Sequence, residues 1–173
     1  KIKGEIINAD SMQVYKEFSV LSSRPVKQDL KKVKHHLYGF QSAKKLFSTG
    51  EWLKLVKKQI NLCLKNKKIP ILVGGTGLYF EAITKGMSKI PNINFNERNK
   101  IRRLQKKLGQ KKFYEKLLRL DSLIKNKIEP FDTQRSIRAY EVKKFTKKSI
   151  FEWHKLTNSE FKHFQIFKIF IDT

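Results

Sequence analysis

The chain has 173 residues, enough for one well-packed core with a small additional domain. Its hydrophobic content of 39% and aromatic content of 12% indicate a folded protein, and not a disordered basic tail. No apolar run approaches the ~20 residues that span a bilayer, and no secretory segment opens the sequence, so we expect a cytoplasmic protein with no membrane partner. The single cysteine, Cys63, excludes an intrachain disulfide framework and a cysteine-based metal cluster.

The net charge of +24 predicts a polyanionic partner. Nucleic acid is the first candidate, and an anionic membrane surface is the second. The charge alone does not decide, because lysines outnumber arginines by 32 to 7, as AT-rich codon usage would also produce. The arginines carry more information, since a guanidinium group binds phosphates and base edges in a bidentate manner.

The first half of the chain alternates between strand and helix patterns. Residues 5–9 form a short apolar run typical of a buried strand, and residues 35–40 (HHLYGF) form a second such run. Apolar residues at helical spacing predict an amphipathic helix over Thr49–Lys65. A third strand at residues 71–73 leads through a glycine-rich turn into a helix ending near Gly86. This alternation is typical of a parallel α/β sheet.

The second half is largely helical. A linker rich in proline and asparagine precedes two charged helices, residues 96–108 and 111–125, hinged at residues 109–110. A further helix follows at Thr133–Thr146, and the alternating tail predicts a last strand at residues 165–171. We therefore predict an α/β fold: residues 1–91 and 130–173 form the α/β core, and residues 92–129 form a helical insertion.

Polar residues follow two of the predicted strands. Thr76 lies in the glycine-rich turn after one strand, and Asp10 comes directly after another. Ligands of open α/β sheets bind at the carboxyl ends of the strands, where Asp10 would serve as a general base or a metal ligand. The alternatives are that Asp10 only caps its own turn and that the glycines only let a helix pack closely on the sheet.

Two arginines, Arg135 and Arg138, lie three residues apart on one predicted helix, where they would clamp a phosphate or a nucleotide. The alternative is a pair of exposed arginines that bridge to Asp132 or Glu141. The adjacent His35 and His36 point to opposite sides of a strand, so they cannot ligate one metal together. His154 and His163 have no partner at ligand spacing, so we predict no metal site built from histidines and assign no metal ligand within this chain.

The order of these motifs resembles one family. The segments GEIINADSMQVY, HHLYGF, ILVGGTGLYFEAIT and DTQRSIRAYEV, at these separations, look like the tRNA dimethylallyltransferase (tRNA isopentenyltransferase) family over essentially the whole chain. The resemblance implies a P-loop NTPase-like, nucleotide-binding (ATP-binding) α/β core with a helical insertion that grips the anticodon stem-loop of tRNA. It implies transfer of a dimethylallyl group from dimethylallyl diphosphate to the exocyclic amine of an adenosine beside the anticodon, with Mg²⁺ as cofactor and release of pyrophosphate.

The resemblance also implies roles for individual residues. Asp10 would be the general base, and residues 10–13 would hold the flipped-out base. Arg135 would lie near the diphosphate and assist catalysis. The residues implied to contact tRNA are Asp10, Ser11, Met12, Gln13, Thr76, Arg98, Gln134, Arg135, Ser136, Ile137 and Arg138. We expect the protein to act as a monomer.

The chain departs from the family pattern in two places. The phosphate-binding loop and first strand that precede the GEII motif in the family are missing, and so are the helices that follow the last strand. We therefore expect this chain alone to be inactive. Within the VLSSRP segment, Leu21 stands where the family favours glycine. Two alternative functions stay open: a non-catalytic RNA-binding remnant, and a prenyltransferase that acts on free adenine nucleotides.

Overall fold

A three-stranded parallel sheet carries the first part of the fold. In this computed structural model, which describes residues 3–171, β1 (Gly4–Asn8) lies between β2 (His35–His36) and β3 (Ile69–Val73). Ile7 of β1 pairs in register with His36 on one side and Leu72 on the other. The predicted parallel sheet is therefore confirmed, with β1 at its centre.

Strand β2 is much shorter than the predicted run of residues 35–40. Leu37 adopts φ 63° and Gly39 adopts φ 54°, both in the left-handed region. A strand cannot continue through such residues, because their backbone turns away from the extended direction. Residues 37–40, which the sequence predicted as part of the strand, consequently form a loop.

Three helices accompany the sheet: α1 (Lys27–Lys32), α2 (Thr49–Lys65) and α3 (Gly77–Thr84). Helix α2 begins at a capping box in which Ser48 and Glu51 satisfy each other's backbone N–H groups. Its apolar stripe buries Trp52 and Cys63, together with residues of α3 and β1, in one hydrophobic core. The predicted bounds of α2 are confirmed, and Trp52, Val56 and Ile60 of its predicted apolar face are buried, whereas Leu64 is 42% exposed.

A separate core holds the helices α4 (Phe95–Leu120), α5 (Thr133–Thr146) and α6 (Ile150–His154). Gly109 interrupts α4 with φ 73° and ψ 163°, so the predicted hinge between two helices is confirmed. Phe113 and Tyr140 pack with ring centroids 5.1 Å apart and join α4 to α5. No helix within residues 3–171 is both long and apolar enough to cross a membrane.

The chain divides into two units. Residues 3–86 and 159–171 form the α/β unit, and Met87–Asn158 form the helical unit. The helical unit is longer than the predicted insertion of residues 92–129. Helices α5 and α6 belong to it because Ala139, Val142 and Ile150 are buried in the same core as α4.

The predicted last strand at residues 165–171 is wrong. This segment has no regular secondary structure and no strand partner within the described part of the chain. Phe167, Ile169 and Phe170 are between 80% and 91% exposed. An alternating apolar pattern favours a strand only where a neighbouring strand accepts its hydrogen bonds, and residues 3–171 offer this segment no such neighbour.

Candidate functional site

The ends of β1 and β3 meet at one polar edge. The Ala9 N–H donates to the Val73 carbonyl at 2.7 Å, and the Thr76 N–H donates to the Ala9 carbonyl at 3.2 Å. A Cβ on Gly74 would lie 2.3 Å from the carbonyl carbon of Ala9. Glycine is therefore required at position 74, because only its missing side chain lets the two loops approach this closely.

Asp10 occupies this edge with its two carboxylate oxygens in different situations. Oδ1 accepts the Met12 N–H at 2.7 Å and the Gln13 N–H at 3.4 Å, so Asp10 does cap its own turn. Oδ2 has no hydrogen-bond partner within residues 3–171. The first oxygen fixes the orientation of the carboxylate, and the second is available to accept a proton from a substrate.

Thr76 lies beside this loop, as the sequence predicted. Its Oγ1 accepts the Ser11 N–H at 2.8 Å and donates to Ser11 Oγ at 3.2 Å. The structure thus brings together Asp10, Ser11 and Thr76 from loops that are 65 residues apart in the chain. The Thr76 hydroxyl serves first to hold the Asp10 loop in place.

Asn8 is a positioning residue that the sequence analysis missed. It is fully buried, and its Oδ1 accepts the Asp10 N–H at 2.9 Å. Its Nδ2 donates to the carbonyls of Asp10 and Leu37, both at 3.0 Å. Trp52 Nε1 in turn donates to the Asn8 carbonyl at 2.9 Å. The signal available in the sequence was a polar side chain inside an apolar strand, two residues before the acid.

Two tyrosines close to Asp10 stay protonated at neutral pH. Burial raises the pKa of Tyr38, with a smaller contribution from the Asp10 carboxylate. Burial also raises the pKa of Tyr79 to about 12, and Tyr15 and Asp10 add to the shift. Tyr79 stacks on Trp52, with ring centroids 3.9 Å apart. Both phenols are therefore neutral neighbours of the candidate base.

The other two predicted base-holding residues differ in their surroundings. Gln13 Nε2 donates to the Ser22 carbonyl at 2.7 Å, so its amide already anchors a neighbouring loop. The Met12 side chain is 53% exposed at the same edge. Met12 is thus open for contact with an aromatic base, whereas the Gln13 side chain is engaged within the chain.

The predicted arginines of the helical unit form three ion pairs with two acidic residues. Arg98 Nε and Arg138 Nη1 each lie 3.3 Å from the same oxygen of the buried Glu141. Arg135 Nη1 lies 3.3 Å from Asp132, which caps the start of α5. Arg138 and Arg135 thus make the bridges to Glu141 and Asp132 that the alternative interpretation expected, and Arg98 joins the first of them.

The remaining predicted residues of α5 fall on two faces. Gln134 is exposed, whereas Ser136 and Ile137 are buried in the helical unit. The Ser136 hydroxyl accepts a hydrogen bond from Gln110 at 3.3 Å. The Ser136 and Ile137 side chains therefore support the packing of α5, and they are not at the surface of the unit.

Each part of α4, before and after Gly109, carries exposed basic side chains at helical spacing on one face, and together we call them the basic face of α4. Its members are Arg102, Arg103, Lys106, Lys107, Lys111, Lys112, Lys116 and Arg119. The hinge at Gly109 divides this row into two parts. A row of Lys and Arg on one helix is suited to contact with consecutive phosphates of a nucleic acid backbone.

The one cluster of potential metal ligands among the described residues does not suit Mg²⁺. Mg²⁺ prefers oxygen ligands, above all carboxylates and phosphates. Within residues 3–171, the one group of three potential metal ligands consists of Glu5, His36 and Cys63, whose nitrogen and sulfur donors do not suit Mg²⁺. Mg²⁺ stays a prediction from the family resemblance.

The parallel sheet with a polar edge and a basic helical unit defines an α/β protein of the P-loop NTPase-like fold class, with a helical insertion. More particularly, the chain belongs to the IPP transferase family, whose family model matches residues 13–173. The family resemblance seen in the sequence is thereby confirmed.

Similar proteins carry consistent names. A tRNA dimethylallyltransferase of Pelagibacter ubique (strain HTCC1062) is 58% identical over all of this chain and 55% of its own length. One from Rickettsia bellii (strain OSU 85-389) is 41% identical over 91% of this chain and 50% of its own length. The solved structure of a eukaryotic dimethylallyltransferase acting on tRNA matches with TM-score 0.72 and 25% identity, over 89% of this chain and 38% of the other. The chain spans about half the length of the curated relatives it matches.

Proposed function

We propose that this chain takes part in the transfer of a dimethylallyl group from dimethylallyl diphosphate to the exocyclic amine of an adenosine adjacent to the anticodon in tRNA, with release of pyrophosphate. The observation that carries the proposal is the match to the IPP transferase family together with the 58% identical relative named tRNA dimethylallyltransferase. The polar edge around Asp10 supports it, because the reaction needs a proton acceptor next to the attacking nitrogen.

Asp10 is the proposed general base. An exocyclic adenine amine is a weak nucleophile, and it gains reactivity when a carboxylate removes its proton as the new bond forms. Oδ1 is held by the backbone of residues 12 and 13, so Oδ2 points at a fixed place without reorganisation of the loop. Met12 and the Thr76–Ser11 pair are the proposed contacts to the flipped-out base, which must leave its stack to reach the carboxylate.

The helical unit is the proposed binding surface for the anticodon stem-loop. The basic face of α4 supplies the charges for backbone phosphates, and Gln134, Arg135, Arg98 and Arg138 supply the more specific contacts. Arg135 is the proposed partner of the diphosphate, because its side chain is 75% exposed and pairs at the surface with Asp132 alone among the described residues. Ser136 and Ile137 act indirectly by keeping α5 packed.

We propose that the protein works as a monomer in the cytoplasm, where its tRNA substrate resides. The prediction that this chain alone transfers the dimethylallyl group negligibly also stands as a proposal. Binding of the stem-loop is therefore the more informative measurement on the chain itself, and a filter assay for dimethylallyl transfer accompanies it.

The test of Asp10 compares two stem-loops that differ at one base. The first carries the target adenosine, and the second carries purine riboside, which lacks the exocyclic amine. We expect the chain to bind the adenosine stem-loop about tenfold more tightly, because a hydrogen bond to a charged group contributes about 1.5 kcal/mol. Asp10→Asn should remove most of this preference, and the exposed-acid control Asp29→Asn should keep it.

Each outcome of this titration has a defined meaning. Equal affinity for the two stem-loops in the unmodified chain would contradict the proposed contact between Asp10 and the amine. Binding that weakens with salt but ignores the target base would instead support the RNA-binding function without chemistry. A preference for free adenosine monophosphate over the stem-loop would favour the prenyltransferase of free nucleotides.

A further inference from the structure

One buried cluster has no part in the proposed reaction. Glu5 of β1, His36 of β2 and Cys63 of α2 point into the space between the sheet and α2. Glu5 is 8% exposed, Cys63 is fully buried, and the His36 side chain is 9% exposed. Three elements thus bring three different ligand types to one place, although His36 and Cys63 lie 31 and 58 residues from Glu5 in the chain.

The ligand atoms are already close together. His36 Nε2 donates to Glu5 Oε2 at 2.6 Å, and Cys63 Sγ donates to the same oxygen at 3.7 Å. One nitrogen, one sulfur and one carboxylate oxygen all lie within 4.8 Å of one another. We propose that Glu5, His36 and Cys63 form a binding site for a borderline divalent cation of the Zn²⁺ type, with the fourth position open to water.

The distances suit tetrahedral coordination. Zn²⁺ binds nitrogen and oxygen at about 2.1 Å and sulfur at about 2.3 Å, which places neighbouring ligand atoms about 3.4–3.7 Å apart. The Cys63–Glu5 separation of 3.7 Å already has this value. The His36–Glu5 separation of 2.6 Å must open by less than about 1 Å, which the rotation of one carboxylate accomplishes.

The charges also balance. A bound cation takes Nε2 of the neutral His36 imidazole, whose single proton moves to Nδ1, and it replaces the proton on the Cys63 thiol, which leaves to solvent. The centre then holds one divalent cation, one carboxylate and one thiolate, so it is neutral in its buried setting. In the absence of a cation, burial and the neighbouring Glu5 raise the pKa of the Cys63 thiol. Lys34 is the other charged group that acts on the cluster.

The donor set selects the type of metal. Thiolate and imidazole favour Zn²⁺ and Co²⁺ over Mg²⁺ and Ca²⁺, which need oxygen ligands. The site includes Glu5 of β1, the strand that leads to Asp10. A cation there would join β1, β2 and α2 and would stabilise the sheet beneath the candidate active edge.

Cobalt titration of the metal-free chain tests this proposal. We expect one equivalent of Co²⁺ to bind with a thiolate-to-metal charge-transfer band in the near ultraviolet and d–d bands typical of a tetrahedral site, and Zn²⁺ to displace it. Because the chain has one cysteine, this band reports Cys63 alone. The same metals should raise the midpoint of thermal unfolding, since they bind only the folded state.

Isosteric variants separate the site from adventitious binding. Cys63→Ser should abolish the charge-transfer band, and Glu5→Gln should weaken binding by more than about tenfold. The exposed His154→Gln serves as the matched control and should bind like the unmodified chain. Circular dichroism verifies that each variant is folded. Binding without the thiolate band, equal affinity in Cys63→Ser, or no stoichiometric binding would each overturn the proposal.

Discussion

The buried carboxylate of Glu141 makes an asymmetric prediction for the stability of the helical unit. Its side chain is 1% exposed, whereas Arg98 and Arg138, which share one of its oxygens at 3.3 Å, are 37% and 40% exposed. Removal of the arginines leaves a charge inside the protein, whereas removal of the glutamate leaves two charges that water can reach. The cost should therefore depend on which side of the interaction is removed.

The expected magnitudes follow from this difference. Arg98→Ala or Arg138→Ala alone should cost about 0.5–1 kcal/mol, because the other arginine still neutralises Glu141 and a half-exposed ion pair is screened by solvent. The double variant should cost about 3–5 kcal/mol, since the buried carboxylate then has no counter-charge. Glu141→Gln should cost only about 1–2 kcal/mol, because both arginines become solvated.

Urea unfolding followed by far-ultraviolet circular dichroism measures these differences as a double-mutant cycle. The matched control is the pair of exposed arginines Arg119→Ala and Arg135→Ala, whose effects should be small and additive. The reasoning is refuted if the Arg98 and Arg138 effects simply add, or if Glu141→Gln destabilises more than the loss of both arginines.

Three further changes have defined outcomes. Tyr79→Phe should reduce the alkaline loss of stability by about 3 kcal/mol. The pKa of Tyr79 is about 12 in the folded protein and about 10 in the unfolded chain. The stability that Tyr79 contributes is therefore present below pH 10 and is lost as the pH rises to 12. Urea unfolding across pH 9–12 checks this, and an unchanged alkaline decline would contradict it. Trp52→Phe should cost about 2 kcal/mol in the same assay at neutral pH, since the Asn8 carbonyl loses its buried donor; no loss would mean that this bond is dispensable. Lys111→Gln with Lys112→Gln should make the slope of log affinity for the stem-loop against log salt about 1.5 units shallower, from titrations between about 50 and about 200 mM salt. A constant slope would place the RNA elsewhere than on the basic face of α4.

Local sequence signals predicted much of the secondary structure. The helix over Thr49–Lys65 has apolar residues at helical spacing and a Ser48–Glu51 capping box at its start, so its bounds are encoded within a few neighbouring residues. Asp132 marks the start of α5 in the same way, and Gly109 marks the break in α4. The meeting of Asp10 and Thr76 was predictable because parallel strands bring their carboxyl ends to one edge.

The failures arose where structure depends on partners distant in the chain. Residues 165–171 alternate like a strand, but a strand also requires a neighbour, which the pattern does not contain. The contact of His36 with Glu5 and Cys63 likewise depends on the packing of α2 on the sheet. The joint pairing of Arg98 and Arg138 with Glu141 depends on how α4 packs on α5.

The close approach at Gly74 has a consequence for how this protein tolerates mutation. The separation between the Asp10 loop and Thr76 is set by backbone touching backbone, with the position of a Gly74 Cβ only 2.3 Å from Ala9. Even alanine would force the two loops apart and would displace the Asp10 carboxylate without altering any polar side chain. By contrast, a Cβ on Gly77, three residues later, would meet no atom within 4 Å. Natural variation should therefore be suppressed at Gly74 and permitted at Gly77, although both glycines lie in the same GGTG segment.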